Sequence, residues 1–315
     1  MALRIVVFSS DQSDYALAES VAGILSATVH VQLERCPSNR ELTNLLATSL
    51  QTILIWNIDN AEQEAVDSAR VISQFIPPER VFAISAKQIK STSPLVSSNV
   101  FGHFFMRTED QAFSQVIARI IFACSMKGIP AIASAFAEGG SLNEIELVKS
   151  AHRKPAIQAL QNILQKRELP DRICKKVAKA TDELLLNAFH RAPRDAQGKA
   201  YLAEASNITE RELNEAERVD LQFFSHKDFL AICVRDQFGS LERKNVQFQF
   251  TRDYTEIQYS LKQGLGIFQS FHGGLSLMFM VRPGKETRGW IIVPWVKSFR
   301  DFQSSFHFFS FVFQA

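Results

Sequence analysis

Glu183 and Asn187 lie four residues apart in a segment, 172–190, whose apolar residues recur at helical spacing. On a helix that separation puts a carboxylate and a carboxamide on one face, one turn apart. The carboxylate can accept a proton and the amide oxygen is a hard ligand, so the pair suits holding a metal-bound phosphate beside a base. Two further segments follow in order, Asp236-Gln237-Phe238-Gly239 and Gly264-Leu265-Gly266. Gly239 lets backbone pass close to a ligand. Backbone N–H groups beside Gly264 and Gly266, at the opening of a helix, can meet an anion. Alone, a Glu-x-x-x-Asn is usually a solvated helix face; the ordered set of three segments argues for more.

The surrounding pattern supplies the elements that must position these groups. Cys174, Val177, Leu184, Leu185, Ala188 and Phe189 mark the buried side of the helix, and Lys176, Lys179, Glu183, Asn187, His190 and Arg191 the polar side. Asp236 ends a hairpin with strands at 219–224 and 229–235. Strands at 275–281 and 289–296 flank a Pro283-Gly284 turn, with Thr287 just beyond it. The polar stretch 243–263 carries Lys244, Arg252 and Lys262. An earlier helix, 145–165, stops before Pro170 and is expected to pack on the sheet, with a dimer contact as the alternative. The tail crowds Phe306, Phe308, Phe309, Phe311 and Phe313 together. Such a run does not stay exposed; it docks on the body of the protein or forms an interface, including a homodimer contact.

In this order the three segments resemble the nucleotide-binding boxes of the GHKL ATPase superfamily, and the compact form is most similar to its anti-sigma serine kinase branch. The run Asn187-Ala-Phe-His-Arg-Ala-Pro193-Arg-Asp195 also resembles a bacterial subgroup of histidine-kinase-like ATPase domains. The resemblance implies ATP and Mg as cofactors. Asn187 would bind Mg, Glu183 would be the catalytic base, and Asp236 would accept a hydrogen bond from the adenine amine. Arg191, Gly239, Gly264, Gly266 and Thr287 would complete the nucleotide site, and 243–263 occupies the place of the ATP lid. The chain departs from the usual Asp-x-Gly-x-Gly, with Phe238 and Ser240 at the glycine positions. That phenylalanine packs on the adenine or intrudes into its pocket, or, in the milder reading, the glycine is shifted by one residue. His152 sits three residues before Pro155, where phospho-acceptor histidines have five, so it is read as a solvated helix-start residue.

The first 128 residues alternate short apolar strands (3–8, 28–33, 53–57, 81–85, 101–106) with amphipathic helices (15–25, 40–50, 61–74, 110–124). That rhythm predicts a doubly wound, flavodoxin-like parallel sheet, and it resembles a response-regulator receiver domain. A receiver's acidic pair, acceptor aspartate and lysine are replaced by Ser9-Ser10, Trp56-Asn57 and Met106-Arg107. Asp11 and Asp59 come about two residues late, while Ser85 suits the hydroxyl position. Without clustered carboxylates no acyl phosphate forms, so the expectation is a pseudo-receiver for docking or dimerisation.

The predicted organisation is therefore α/β: a receiver-like domain at 1–128, a linker at 129–147, and an ATPase domain at 148–298. The ATPase domain is expected as an α/β two-layer sandwich, followed by a tail at 299–315. A net charge of +2, with acids and bases interleaved, lacks the basic stripe that nucleic acid requires. No leader or membrane span is evident, so a cytoplasmic location is expected. Cys36, Cys124, Cys174 and Cys233 are spaced as reduced, buried residues. The expected function is a signalling regulator that binds Mg-ATP and acts on a protein partner of the sigma-factor or anti-sigma-antagonist kind, with serine phosphorylation as its chemistry. A nucleotide sensor or a scaffold without phosphotransfer is the alternative.

Overall fold

The β-branched and aromatic runs of the first third form strands and the amphipathic stretches between them form helices, in an α/β arrangement. The computed structural model describes residues 2–47, 52–59, 62–86, 95, 98–107, 111–125, 141–195, 197–200, 212–243, 246, 270–271, 273–305 and 307–313. Two compact units emerge. The first holds the described residues up to Ser125 together with Phe308–Phe311, and the second holds most of the remainder.

In the first unit the elements run β1 (Ala2–Phe8), α1 (Gln12–Leu25), β2 (His30–Cys36), α2 (Asn39–Leu46), β3 (Thr52–Asn57), α3 (Glu62–Phe75), β4 (Val81–Ser85), β5 (His103–Met106) and α4 (Gln111–Ser125). The strands are parallel in the order β2-β1-β3-β4-β5. Because the order turns back at β1, right-handed crossovers place α1 with α4 and α2 with α3 on opposite faces. Leu3, Ile5, Val6 and Val7 are consequently buried on both sides of β1. Two strands start later than their apolar runs suggest. Thr28 and Val29 spend their amides on the Leu25 carbonyl, closing α1, and Gly102 donates to the Pro78 carbonyl instead of a ladder.

The second unit contains β6 (Ser141–Leu147), α5 (Arg153–Lys166), α6 (Asp171–Leu186), β7 (Val219–Ser225), β8 (Phe229–Asp236), β9 (Ser276–Arg282), β10 (Glu286–Pro294) and α7 (Phe299–Ser304). Its strands are antiparallel in the order β9-β10-β8-β7-β6. The segment 141–147, expected as linker with a helix from Ile145, is an edge strand. Asn143, Ile145 and Leu147 pair with Phe223, Leu221 and Val219 across the ladder, and burial increases along them to Leu147. The helix waits until Arg153, with Pro155 tolerated in its first turn.

α6 packs on β8 and β10. A sheet with one covered face alternates buried with exposed. Here Cys233, Trp290, Met278 and Met280, on the face away from α6, are buried as fully as Val234 and Phe279 on the α6 face. At one end of that far face Glu286 is nearly buried among Arg235, Arg282 and Arg288, and Arg235 continues to Asp220. Burial works against the Glu286 charge, but the three guanidiniums outweigh it and hold its carboxyl below the usual range. A depressed carboxyl stabilises the fold above its unfolded pKa and loses that contribution as pH falls through the folded value. Glu286→Gln is therefore expected to cost about 1–2 kcal/mol at neutral pH, with the gap to wild type closing below pH 4.5. Urea midpoints compared across pH check this.

The phenylalanine tail becomes β11 (Phe308–Phe313), antiparallel to β5 in the first unit's sheet. Phe308 pairs with Phe105, their rings 5.3 Å apart, and Ser310 pairs with His103, whose Nδ1 lies 2.7 Å from the serine hydroxyl. Phe308, Phe309 and Phe311 are buried there, so these three rings of the apolar run are covered within the chain. All four cysteines carry free thiols. Burial pushes Cys36 up to about 11 and Cys124 up to about 12, so neither is a ready nucleophile. No described helix is long and apolar enough to cross a membrane.

Candidate functional site

α6 starts after Pro170, whose carbonyl accepts from the Ile173 and Cys174 amides. Ile173, Cys174, Val177, Leu184 and Leu185 lie on its buried face. Past Leu186 the helix widens: Asn187–Arg191 form a π turn, closed by the Ala192 amide on the Asn187 carbonyl at 2.9 Å. The extra residue in this turn rotates the side chains beyond it. His190, expected on the polar side, is only 9% exposed as a result, while Arg191 stays in solvent.

A cavity of about 230 Å³ opens between this helix end and the sheet. Asn187, Arg191, Asp236 and Thr287, all singled out from the sequence, line it. β8 and β10 set Asp236 directly opposite Thr287. Leu184, Val234, Phe279 and Leu241 supply apolar wall. Gly289 leaves room for that wall, since a Cβ there would press on Leu184 Cδ2 at 3.2 Å. Arg194 and Ser240 also line the cavity and were not assigned from sequence. Arg194 is held by a tight turn in which Asp195 accepts from the Gln197 and Lys199 amides, and it donates to the Arg191 carbonyl. Its signal in the sequence was proximity to Asn187, too weak by itself. Ser240 donates to the Ala192 carbonyl at 3.0 Å, tying the turn after β8 to the helix end.

Asp236 is the electrostatic centre of the cavity. It is 7% exposed, and its Oδ1 accepts from the Phe238 amide at 2.9 Å and the Gly239 amide at 3.3 Å. Burial pushes its carboxyl up to about 6, against those two amides and the facing Thr287, which favour the charge. Gly239 has φ +59 and turns the chain under the β9–β10 connection. Phe238 is half-buried and does not line the cavity, so it neither packs across it nor fills it.

Glu183 is half-buried one turn before Asn187 and does not line the cavity either. Gly264, Gly266, Lys244, Arg252 and Lys262 lie outside the described residues. The position expected to hold Mg fits that ion poorly. Asn187 Oδ1 accepts from Arg191 Nη1 at 3.0 Å, so the oxygen is engaged by a cation already. A hard divalent ion gathers several oxygens and negative charge, whereas this end of the cavity presents two guanidiniums. Among the described residues no three His, Cys, Asp or Glu side chains are grouped to hold a metal.

The carboxyl ends of the first unit's strands show a similar substitution. Asp14, 1% exposed and not anticipated from sequence, accepts from Ser9 Oγ at 2.6 Å, Asn57 Nδ2 at 2.7 Å and Arg107 Nη2 at 2.8 Å. Arg107 also reaches Asp11 at 2.7 Å. Asp11 caps α1 through the Ser13 amide, and Asp59 accepts from Ser85 Oγ and the Ala86 amide. The carboxylates here are committed to internal partners, with Arg107 as the counter-ion of Asp11 and Asp14. His152, the other histidine considered, sits at the start of α5 without a capping bond.

No family model matches the chain, and no curated protein sequence does.

Proposed function

We propose that the second unit is an adenine-nucleotide-binding module of the GHKL ATPase type. In the same reading the first is a receiver-like, flavodoxin-type module that docks a protein partner instead of accepting phosphate. The observation that carries the reading is the convergence of Asn187, Arg191, Asp236 and Thr287 on one cavity. The cavity is ordered as such a ligand needs: a buried carboxylate for an exocyclic amine, apolar wall for a base, and two guanidiniums for phosphate. The strand order β2-β1-β3-β4-β5 and the arginine-filled carboxylate cluster support the reading of the first unit.

Nucleotide sensing is favoured over phosphotransfer because Glu183, the expected base, does not line the cavity. The second reading, transfer to a serine of a partner protein involved in sigma-factor control, draws on Glu183 standing one turn from Asn187. Titration calorimetry with ATP separates binding from its absence. Micromolar binding is expected, weakened roughly tenfold in Asn187→Ala through the lost polar contact. A folded wild-type chain that binds no adenine nucleotide would end the proposal. Radiolabel transfer from γ-labelled ATP to a protein, abolished in Glu183→Gln with binding retained, would select the second reading.

A further inference from the structure

The phosphate end of the cavity carries its own cations. We propose, resting on the adenine-nucleotide reading, that the phosphates are bound directly by Arg191 and Arg194 and that binding needs no divalent metal.

Arg191 and Arg194 both line the cavity with Asn187. Arg194 is anchored through Nη1 to the Arg191 and Pro193 carbonyls, so its guanidinium is held near the cavity by backbone instead of by an acid. Arg191 donates to the neutral Asn187 amide, so its charge is not cancelled there. Of the acids close in sequence, Glu183 does not line the cavity and the others are engaged elsewhere. Asp182 pairs with Arg153 at 2.8 Å, Asp195 caps its own turn, and Asp236 accepts backbone amides at the base end. The local field at the Asn187 end is therefore positive, which attracts phosphate and repels a second cation. Guanidinium also matches phosphate geometry with paired donors, which an ammonium cannot do. The Arg191–Asn187 bond is exposed and weak by itself, so phosphate can take Arg191 over at little cost. In this arrangement Asn187 orients Arg191 rather than a metal.

The test measures ADP and adenosine binding by calorimetry, in EDTA and in excess MgCl₂, on wild type, Arg191→Ala and Asp236→Asn. Arg191 is exposed, so its alanine variant should fold, and circular dichroism checks that it does. The expected result is ADP affinity changing less than about threefold on chelation, with Arg191→Ala weakening ADP roughly tenfold and adenosine hardly at all. ADP affinity that collapses on chelation, or that ignores Arg191→Ala, overturns the inference while Asp236-dependent adenosine binding leaves the nucleotide reading intact. No binding of either compound, with or without magnesium, overturns both.

Discussion

Asp236→Asn is expected to weaken the proposed adenine-nucleotide binding roughly hundredfold while raising the chain's thermal stability above pH 6. The two effects have one cause. Asp236 is held nearly out of water, with its carboxyl pushed up to about 6 by burial. A raised carboxyl binds its proton more readily in the folded chain than in the unfolded one. Stability therefore falls as pH rises from the unfolded value near 3.8 through about 6, and above that the full cost of the buried charge is present. Asparagine has the same shape, keeps an oxygen for the Phe238 and Gly239 amides, and carries no charge. The gain should be on the order of 2 kcal/mol at pH 8 and vanish near pH 4. For the ligand the exchange is adverse. With one oxygen kept by backbone donors, the other position becomes an NH₂, which in the proposed reading meets the adenine amine donor against donor. A buried mismatch of that kind costs roughly hundredfold in affinity. Melting curves at pH 4 and 8, beside ADP titrations, check both halves. Wild-type affinity should also rise as pH is raised through 6, because the ionised carboxylate is the better acceptor. A variant that melts higher yet binds normally would remove Asp236 from base recognition.

Gly239→Ala should be among the most damaging single substitutions in the second unit. Its φ of +59 lies where a Cβ is strained, at about 1–2 kcal/mol. Collision costs more than this strain. A Cβ would lie 2.0 Å from the Arg282 carbonyl oxygen and 2.9 Å from the Gly284 nitrogen, and both are backbone atoms at the β9–β10 turn. Backbone there cannot yield without breaking ladder pairs such as Glu286 with Arg282. The expected loss is about 4 kcal/mol or more, accompanied by loss of binding because the turn also aims the amide that meets Asp236. Gly284→Ala is the control. It shares a positive φ, +66, but has nothing within 4 Å of the added carbon, so it should cost only about 1 kcal/mol. Chemical denaturation of the two variants separates strain from collision. Equal losses would show that the close approach to Arg282 is not maintained in solution.

Residue types and local periodicity were enough to place most elements, because helical and strand spacing are properties of short stretches of chain, whereas Asn187, Arg191, Asp236 and Thr287 were chosen through the resemblance of their segments to known nucleotide-binding boxes. The hairpin ending at Asp236 and the α6 helix follow from such spacing, and Val81–Ser85 is the predicted strand unchanged. Features that depend on distant pairing were not readable locally. Ser141–Leu147 becomes a strand because β7 offers it a ladder, and Phe308–Phe313 because β5 offers it another. The π turn at Asn187–Arg191 needs an i→i+5 bond that no periodicity announces, and within it His190 is buried. Arg107 was visible as a missing lysine, but its pairing with a buried Asp14 required the parallel sheet that brings the ends of β1, β3 and β5 together. Local residue order thus marked side chains that line one cavity. Which of them meet was left to the folded chain, because convergence and counter-charge are set by packing between segments far apart along it.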